Sequence, residues 1–299
     1  MSTTRRVLTW NTVLQPPCNR WRYMMNSASG AADDMVRYIL ALDPLPDAIL
    51  WQELADRNRY DQLQRGLAHI YPHWTPFMDD QPDQPEGCVV CTRVPIVHMG
   101  YQRWPEEFGS EAQGIVYAIT RDQCAYVCIH MSPAIATIHL RMREIVLARD
   151  VMARVATEYP QCAIFAGGDF NTEATSPEFE GMRRVFNGLK ADEGHTDSTL
   201  ASYDTEISRT EPSSTWYACG YYNLWCARLA GSHLDYLWCF RHGSAWSRVD
   251  KLAETIGKSH ASDHMPLYTD FRLYQGPMYE APKTLSMREI PTFQGLTTT

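Results

Sequence analysis

Asp169 and Asn171 are the residues of this chain best placed to do chemistry, in the run Gly167-Gly168-Asp169-Phe170-Asn171 that follows the apolar stretch 162–166. The apolar stretch reads as a buried strand, and paired glycines let the backbone turn sharply at its end. Two positions apart in extended chain, the two polar side chains point the same way. A carboxylate beside a carboxamide suits a site that holds a metal-bound phosphate, because the first carries charge and the second both donates and accepts hydrogen bonds. The same five residues fit an Asx-rich turn closing a strand equally well. The other strand ends must decide.

Hydrophobic periodicity places those ends. Strands are expected over residues 6–11, 48–53, 87–92, 114–120, 125–130, 234–238 and 265–273, and helices over 31–42, 60–70 and 141–159. Asn11, Glu53 and His130 close three of the strands, Asp235 opens another, and Ser262-Asp263-His264 precedes the last. With Asp169 and Asn171, and Ser262 left aside, eight polar residues sit at or beside strand ends. Converging on one rim of a sheet, the carboxylates of Glu53, Asp169, Asp235 and Asp263 would repel one another unless a cation neutralised them. Oxygen donors select Mg²⁺, Mn²⁺ or Ca²⁺ over zinc.

The wider composition agrees with a globular domain. The chain has 299 residues, 44% of them apolar, enough for one sizeable core. A formal charge of -8 speaks against binding nucleic acid by bulk electrostatics. Nine cysteines without regular spacing and an N-terminus that runs straight into a strand are expected of a reduced, cytoplasmic protein. Cys88 and Cys91 form a CxxC, yet a three-residue spacing along a strand sends the thiols to opposite faces, so buried cysteines are a better reading than structural zinc. Neither an internal repeat nor a linker is evident. One catalytic domain over 1–274 is expected, with a Pro-containing, Thr-rich tail over 275–299.

Taken in order, Trp10-Asn11, Trp51-Gln52-Glu53, Ile129-His130, Gly168-Asp169-Phe170-Asn171, Leu234-Asp235-Tyr236 and Ser262-Asp263-His264 resemble the motifs of the endonuclease/exonuclease/phosphatase superfamily of metal-dependent phosphodiesterases. The resemblance implies an α/β fold, a four-layer αββα sandwich of two mixed β-sheets packed face to face with helices outside. It also implies roles. Glu53 would be the central metal ligand, assisted by Asn11, with Asp263 a further metal or water-orienting carboxylate and Mg²⁺, or Mn²⁺, the cation. His264 would deprotonate the attacking water, and Asp235 would hold its imidazole in the required tautomer. Asp169 and Asn171 would position nucleophile and phosphate, and His130 would contact the transition-state oxygens.

Looser segments are similar to the neutral sphingomyelinase branch: Tyr71-Pro72 through Thr75-Pro76, Gly87-Cys88-Val89-Val90 leading to Pro95-Ile96, Glu111 to Tyr117, and Ser202-Tyr203-Asp204. Gln113 departs from that branch, which carries Lys there, and so does the run Cys128 to Ser132. The implied activity is a Mg²⁺-dependent phospholipase C releasing phosphocholine from sphingomyelin, acting as a monomer on phospholipid at a membrane surface without a transmembrane span. A nuclease or phosphoinositide phosphatase is the alternative within the same chemistry, and a catalytically silent binding module the alternative outside it. The aromatic run Trp216 to Trp225 fits either a membrane-facing loop or, in the better reading, packing against the sheet. Asp79, Asp80, Asp83 and Glu86 fit a second cation site or a solvated acidic loop.

Overall fold

The computed structural model describes residues 2–14, 30–80, 84–85, 87–105, 113–132, 138–172, 177–187, 235–241, 246–257, 259, 261–262 and 264–275. Its strands are β1 (Ser2–Leu14), β2 (Ala48–Leu54), β3 (His73–Trp74), β4 (Val89–Thr92), β5 (Ile96–Arg103), β6 (Gly114–Thr120), β7 (Cys124–His130), β8 (Ala163–Asp169), β9 (Asp235–Arg241), β10 (Trp246–Ile256) and β11 (Leu267–Gln275). The helices are α1 (Ala31–Leu40), α2 (Arg57–Leu67), α3 (Ile138–Glu158) and α4 (Pro177–Asn187).

Two mixed sheets result, one in the order β10-β11-β1-β2-β4-β3 and the other β5-β6-β7-β8-β9. Each contains one parallel pair, β1 with β2 and β7 with β8, and each pair is joined through a helix, α1 and α3 respectively. A parallel connection needs such a crossover, which returns the chain to the same end of the sheet. Both strands of each pair therefore deliver their C-terminal residues to one rim.

Side-chain alternation sorts the core into three layers. Val7, Leu50, Val90, Cys128, Phe165, Leu237 and Phe271 face inward and fill the space between the sheets. Leu8, Trp10, Ile49 and Trp51 face outward under α1 and α2, packed on Met35, Ile39, Leu63 and Leu67. On the far side Val127, Ile129, Ile164 and Trp238 meet Ile145, Val151, Met152 and Val155 of α3 and Phe179 and Met182 of α4. This is the four-layer αββα sandwich. Cys88 lies in the inner layer and Cys91 in the outer one, so the two thiols of the CxxC are on opposite faces.

Several boundaries move for identifiable reasons. Helix α2 begins at Arg57, before the expected residue 60, because Asp56 caps it by accepting from the amides of Asn58 at 2.8 Å and Arg59 at 3.1 Å. Four elements are additional to the expected ones: β3, β5, α4 and β10. Strand β5 is a half-exposed edge whose pairing with β6 shifts register between Ile96 and His98, which breaks its alternation. Strand β10 pairs with β11 through two register shifts, which erase its period of two. Among the described residues no helix is long and apolar enough to cross a membrane.

Candidate active site

The five-stranded sheet lines up its functional residues by register. Gly114 pairs with His130, His130 with Asp169, and Asp169 with Asp235, so one rung across β6, β7, β8 and β9 carries three of the expected residues side by side. Their parity is that of Cys128, Phe165 and Leu237, hence all three face the other sheet. Gly168 makes the rung possible: its φ is +150°, and a Cβ there would lie 1.8 Å from the carbonyl oxygen of Ile129 on β7.

The six-stranded sheet supplies the opposing side. Asn11 on β1 has the inward parity of Val7, and its amide nitrogen donates to Asp169 Oδ2 at 2.8 Å and to Glu53 Oε1 at 3.0 Å. Glu53 has the opposite parity, that of the outward-facing Ile49 and Trp51. A left-handed backbone, φ 54°, at Glu53 breaks the alternation and sets its carboxylate among the inward-facing groups at the rim. The turn leading into β4 accommodates this conformation: Leu54 N donates to the carbonyl of Gly87 at 3.1 Å, and a Cβ on Gly87 would meet Glu53 Cα at 2.8 Å.

His264 enters from the segment leading to β11. Its Nδ1 lies 2.7 Å from Asp235 Oδ2, and because an ionised carboxylate only accepts, the ring proton sits on Nδ1 and is donated. Its Nε2 lies 3.8 Å from Asp169 Oδ2. Ser262 fixes the backbone on both sides, donating from Oγ to the Asn11 carbonyl at 2.6 Å and accepting from the His264 amide at 3.2 Å. Trp10 Nε1 donates to the His264 carbonyl at 3.0 Å.

His130 faces the same space. Its Nε2 stands 3.7 Å from Glu53 Oε1, 3.9 Å from Asp169 Oδ2 and 3.1 Å from Gln113 Nε2. Asn171, with φ 48°, donates its side-chain amide to the Met131 carbonyl at 2.8 Å and its backbone amide to Asp169 Oδ1 at 2.8 Å. The Asx turn and the convergent polar site are thus the same structure.

Burial governs the electrostatics. Asp169 and Asp235 are each 2% exposed, and the side chain of Glu53, at 14%, is the most open of the group's carboxylates. Desolvation pushes the Asp169 carboxyl up to about 7; repulsion from Asp235 adds to this, and His264 and His130 oppose it. Asp235 Oδ1 is buried without a hydrogen-bond partner. Two overlapping groups, Glu53 with His130 and Asp169, and Asp169 with Asp235 and His264, each bring one ligand atom per residue within 4.8 Å of one another. Three carboxylates and two imidazoles make up these groups, and the negative charge the carboxylates concentrate suits a hard divalent cation.

The structure therefore brings together Asn11, Glu53, His130, Asp169, Asn171, Asp235 and His264. Asp263 lies outside the described residues, as do the 216–225 run, Ser202-Tyr203-Asp204, Asp83 and Glu86. Asp80 pairs with Arg57 through two contacts of 3.0 and 2.6 Å, an ion pair at the start of α2. In the sequence Ser262 and Gln113 stand out only as parts of motifs. Their contacts with Asn11 and His130 join residues 251 and 17 positions apart, beyond the reach of local spacing.

Two mixed sheets under outer helices, with a cluster of acids and histidines at the shared rim, define a class of α/β sandwich. The chain belongs to the Endonuclease/Exonuclease/phosphatase family, whose profile matches residues 8–264. Members of this family are generally hydrolases of phosphodiester bonds. No curated protein matches the sequence. Among solved structures, sphingomyelinase C from Streptomyces griseocarneus superposes with a TM-score of 0.59 at 19% identity, covering 90% of this chain and 99% of its own. A beta toxin mutant from Staphylococcus aureus with bound magnesium ions gives 0.59 at 17% identity, covering 89% and 99%. The human Nocturnin catalytic domain with bound sulfate gives 0.59 at 17% identity, covering 91% and 94%. At these identities the likeness is one of fold.

Proposed function

We propose that the protein is a divalent-cation-dependent phosphodiesterase of the sphingomyelinase C type, which hydrolyses sphingomyelin to ceramide and phosphocholine. The observation that carries the reading is the His264–Asp235 pair, its imidazole Nδ1 2.7 Å from the carboxylate, set across Asp169 from Asn11, Glu53 and His130. Glu53, Asn11 and Asp263 would hold the cation, Mg²⁺ or Mn²⁺. When bound, the cation supplies a Lewis acid that stabilises charge developing on the phosphoryl oxygens.

The chain's own residues then divide the work. Asp235 keeps the His264 proton on Nδ1, which turns Nε2 into the base that removes a proton from the attacking water. Asp169 orients that water, since its Oδ2 lies 3.8 Å from His264 Nε2 and accepts from Asn11. His130 and Asn171 border the space opposite and contact the phosphoryl oxygens as their charge grows. Support for the lipid substrate comes from the sphingomyelinase-like segments of the sequence and from the sphingomyelinase C and beta toxin structures, which this chain resembles over nearly their whole length.

Hydrolysis of sphingomyelin, an abasic DNA duplex and an inositol polyphosphate, each with Mg²⁺ and with chelator, tests the reading. Chelator-sensitive release of phosphocholine is expected; turnover of the duplex or inositol polyphosphate alone would reassign the substrate, and activity indifferent to chelator would remove the cation from the mechanism. His264→Ala is expected to abolish turnover while Mg²⁺ binding, followed by calorimetry, persists. A near-normal rate in that variant would rule out His264 as the base.

A further inference from the structure

We propose that Glu144 is a positioning residue for the active site, acting through Ser132 on the segment that carries His130 and receives Asn171. Glu144 lies on α3, is fully buried, and belongs to neither group of candidate cation ligands. Its carboxylate takes both donors of one residue: Ser132 N at 3.0 Å on Oε2 and Ser132 Oγ at 2.5 Å on Oε1. The remaining backbone group of Ser132, its carbonyl, accepts from Arg141 Nη1 at 3.1 Å. Arg141 is itself fixed by Glu178 of α4, with Nη2 3.0 Å from each carboxylate oxygen. Two charged side chains of α3 thus engage every polar group of Ser132, and Glu178 of α4 holds one of them, Arg141, in place.

The clamp lies one residue from the site. Met131 N donates to the Asp169 carbonyl at 2.9 Å, and the Met131 carbonyl accepts the side-chain amide of Asn171 at 2.8 Å. His130, Met131 and Ser132 are consequently held by the end of β8 on one side and by α3 on the other. Stability alone gives no account of the arrangement, because burying carboxylates and a guanidinium is costly and well-packed apolar side chains often do as well or better. Geometry does: a fixed β7 exit sets the direction of the Asn171 amide and the depth of the His130 ring, and displacements of about 1 Å at such groups cost on the order of a hundredfold in rate.

The activity arm of the test rests on the phosphodiesterase reading; the exchange arm does not. Wild type, Glu144→Gln, Glu144→Leu and Ser132→Ala are compared by amide hydrogen exchange, thermal midpoint, and kcat and KM for bis(p-nitrophenyl) phosphate with Mg²⁺. In Glu144→Gln the carboxamide oxygen still accepts from Ser132 N while its nitrogen donates to the Ser132 hydroxyl, so exchange and kcat are expected to stay near wild type. Glu144→Leu is expected to speed exchange at both Ser132 and Asn171 about tenfold and lower kcat roughly 10- to 100-fold at unchanged KM, with the remaining amides protected as before. Faster exchange at Ser132 that does not extend to Asn171, a uniform loss of protection, or Glu144→Gln behaving like Glu144→Leu would overturn the proposal. Should Glu144→Leu fail to fold, Ser132→Ala decides, with faster exchange at Asn171 expected and wild-type exchange there overturning the proposal. A wild type without turnover, beside the expected exchange pattern, would sink the functional reading and leave the clamp standing.

Discussion

Asp169 is where the site's charge is least at ease. Its unfolded carboxyl titrates near 3.8, whereas in the fold burial and the Asp235 charge raise it to about 7. The cation-free folded protein therefore holds this proton more tightly than the unfolded chain does. The stability so contributed is complete below about pH 4 and is lost as the pH rises through about 7. A cation beside Asp169 reverses the preference, because it favours the ionised form. With chelator present, the thermal midpoint is expected to fall between about pH 5 and pH 8, and saturating Mg²⁺ should flatten that fall. Mg²⁺ affinity, titrated by calorimetry, should weaken below about pH 7 as protonation of Asp169 removes a negative charge beside the cation. Identical slopes with and without Mg²⁺ would place the cation away from Asp169.

Strand ends deliver these residues, and their backbones bear the demand. Glu53, Asn171 and Val13, the last two positions after Asn11, are left-handed non-glycine residues, three of the four among those described. Held this way only by surrounding structure, they re-aim side chains that simple alternation would leave elsewhere. The adjacent glycines make a sharp contrast. Gly168→Ala places a methyl 1.8 Å from a backbone oxygen at φ +150°, whereas the Cβ of Gly167→Ala, at an ordinary φ, meets the Leu237 side chain at 2.3 Å and a backbone oxygen, that of Tyr236, only at 2.9 Å. Chemical denaturation should show a loss of more than about 3 kcal/mol or failure to fold for Gly168→Ala, and roughly 1–3 kcal/mol for Gly167→Ala. Comparable losses would mean that the β7–β8 approach is less rigid than its geometry. Much of this level is legible in the sequence: Asn11, His130, Asp169 and Asp235 stand out because polar residues terminate apolar strands. What is not legible follows from physics that local pattern does not carry. Parity assigns Glu53 to the helix side, bulges hide β10, exposure blurs β5, and the Ser262–Asn11 contact exists only once the sheets have closed.

At the scale of the whole molecule, the site is a seam. Asn11, Glu53 and His264 belong to the six-stranded sheet and its connections, while His130, Asp169, Asn171 and Asp235 belong to the five-stranded one. Sheet-to-sheet packing therefore sets the distances between ligands and base. Directly below the rim the two sheets are bonded to each other: Cys128 Sγ donates to the Trp51 carbonyl at 3.0 Å and accepts from Gln52 Nε2 at 3.2 Å. Enlarging Cys128 to Leu would wedge the sheets apart there, two residues from His130 and beside the strand that carries Glu53. Enlarging Ala32 to Leu adds volume in the outer layer between α1 and the six-stranded sheet. Both changes overpack a full core and should cost about 1–3 kcal/mol in chemical denaturation. Only the Cys128→Leu wedge should also weaken Mg²⁺ binding, by about tenfold or more, because it moves Glu53 and Asn11 away from Asp169. Equal Mg²⁺ affinity in the two variants, measured by calorimetry on folded protein, would show that each sheet holds its share of the site independently and that the seam is not what sets the coordination.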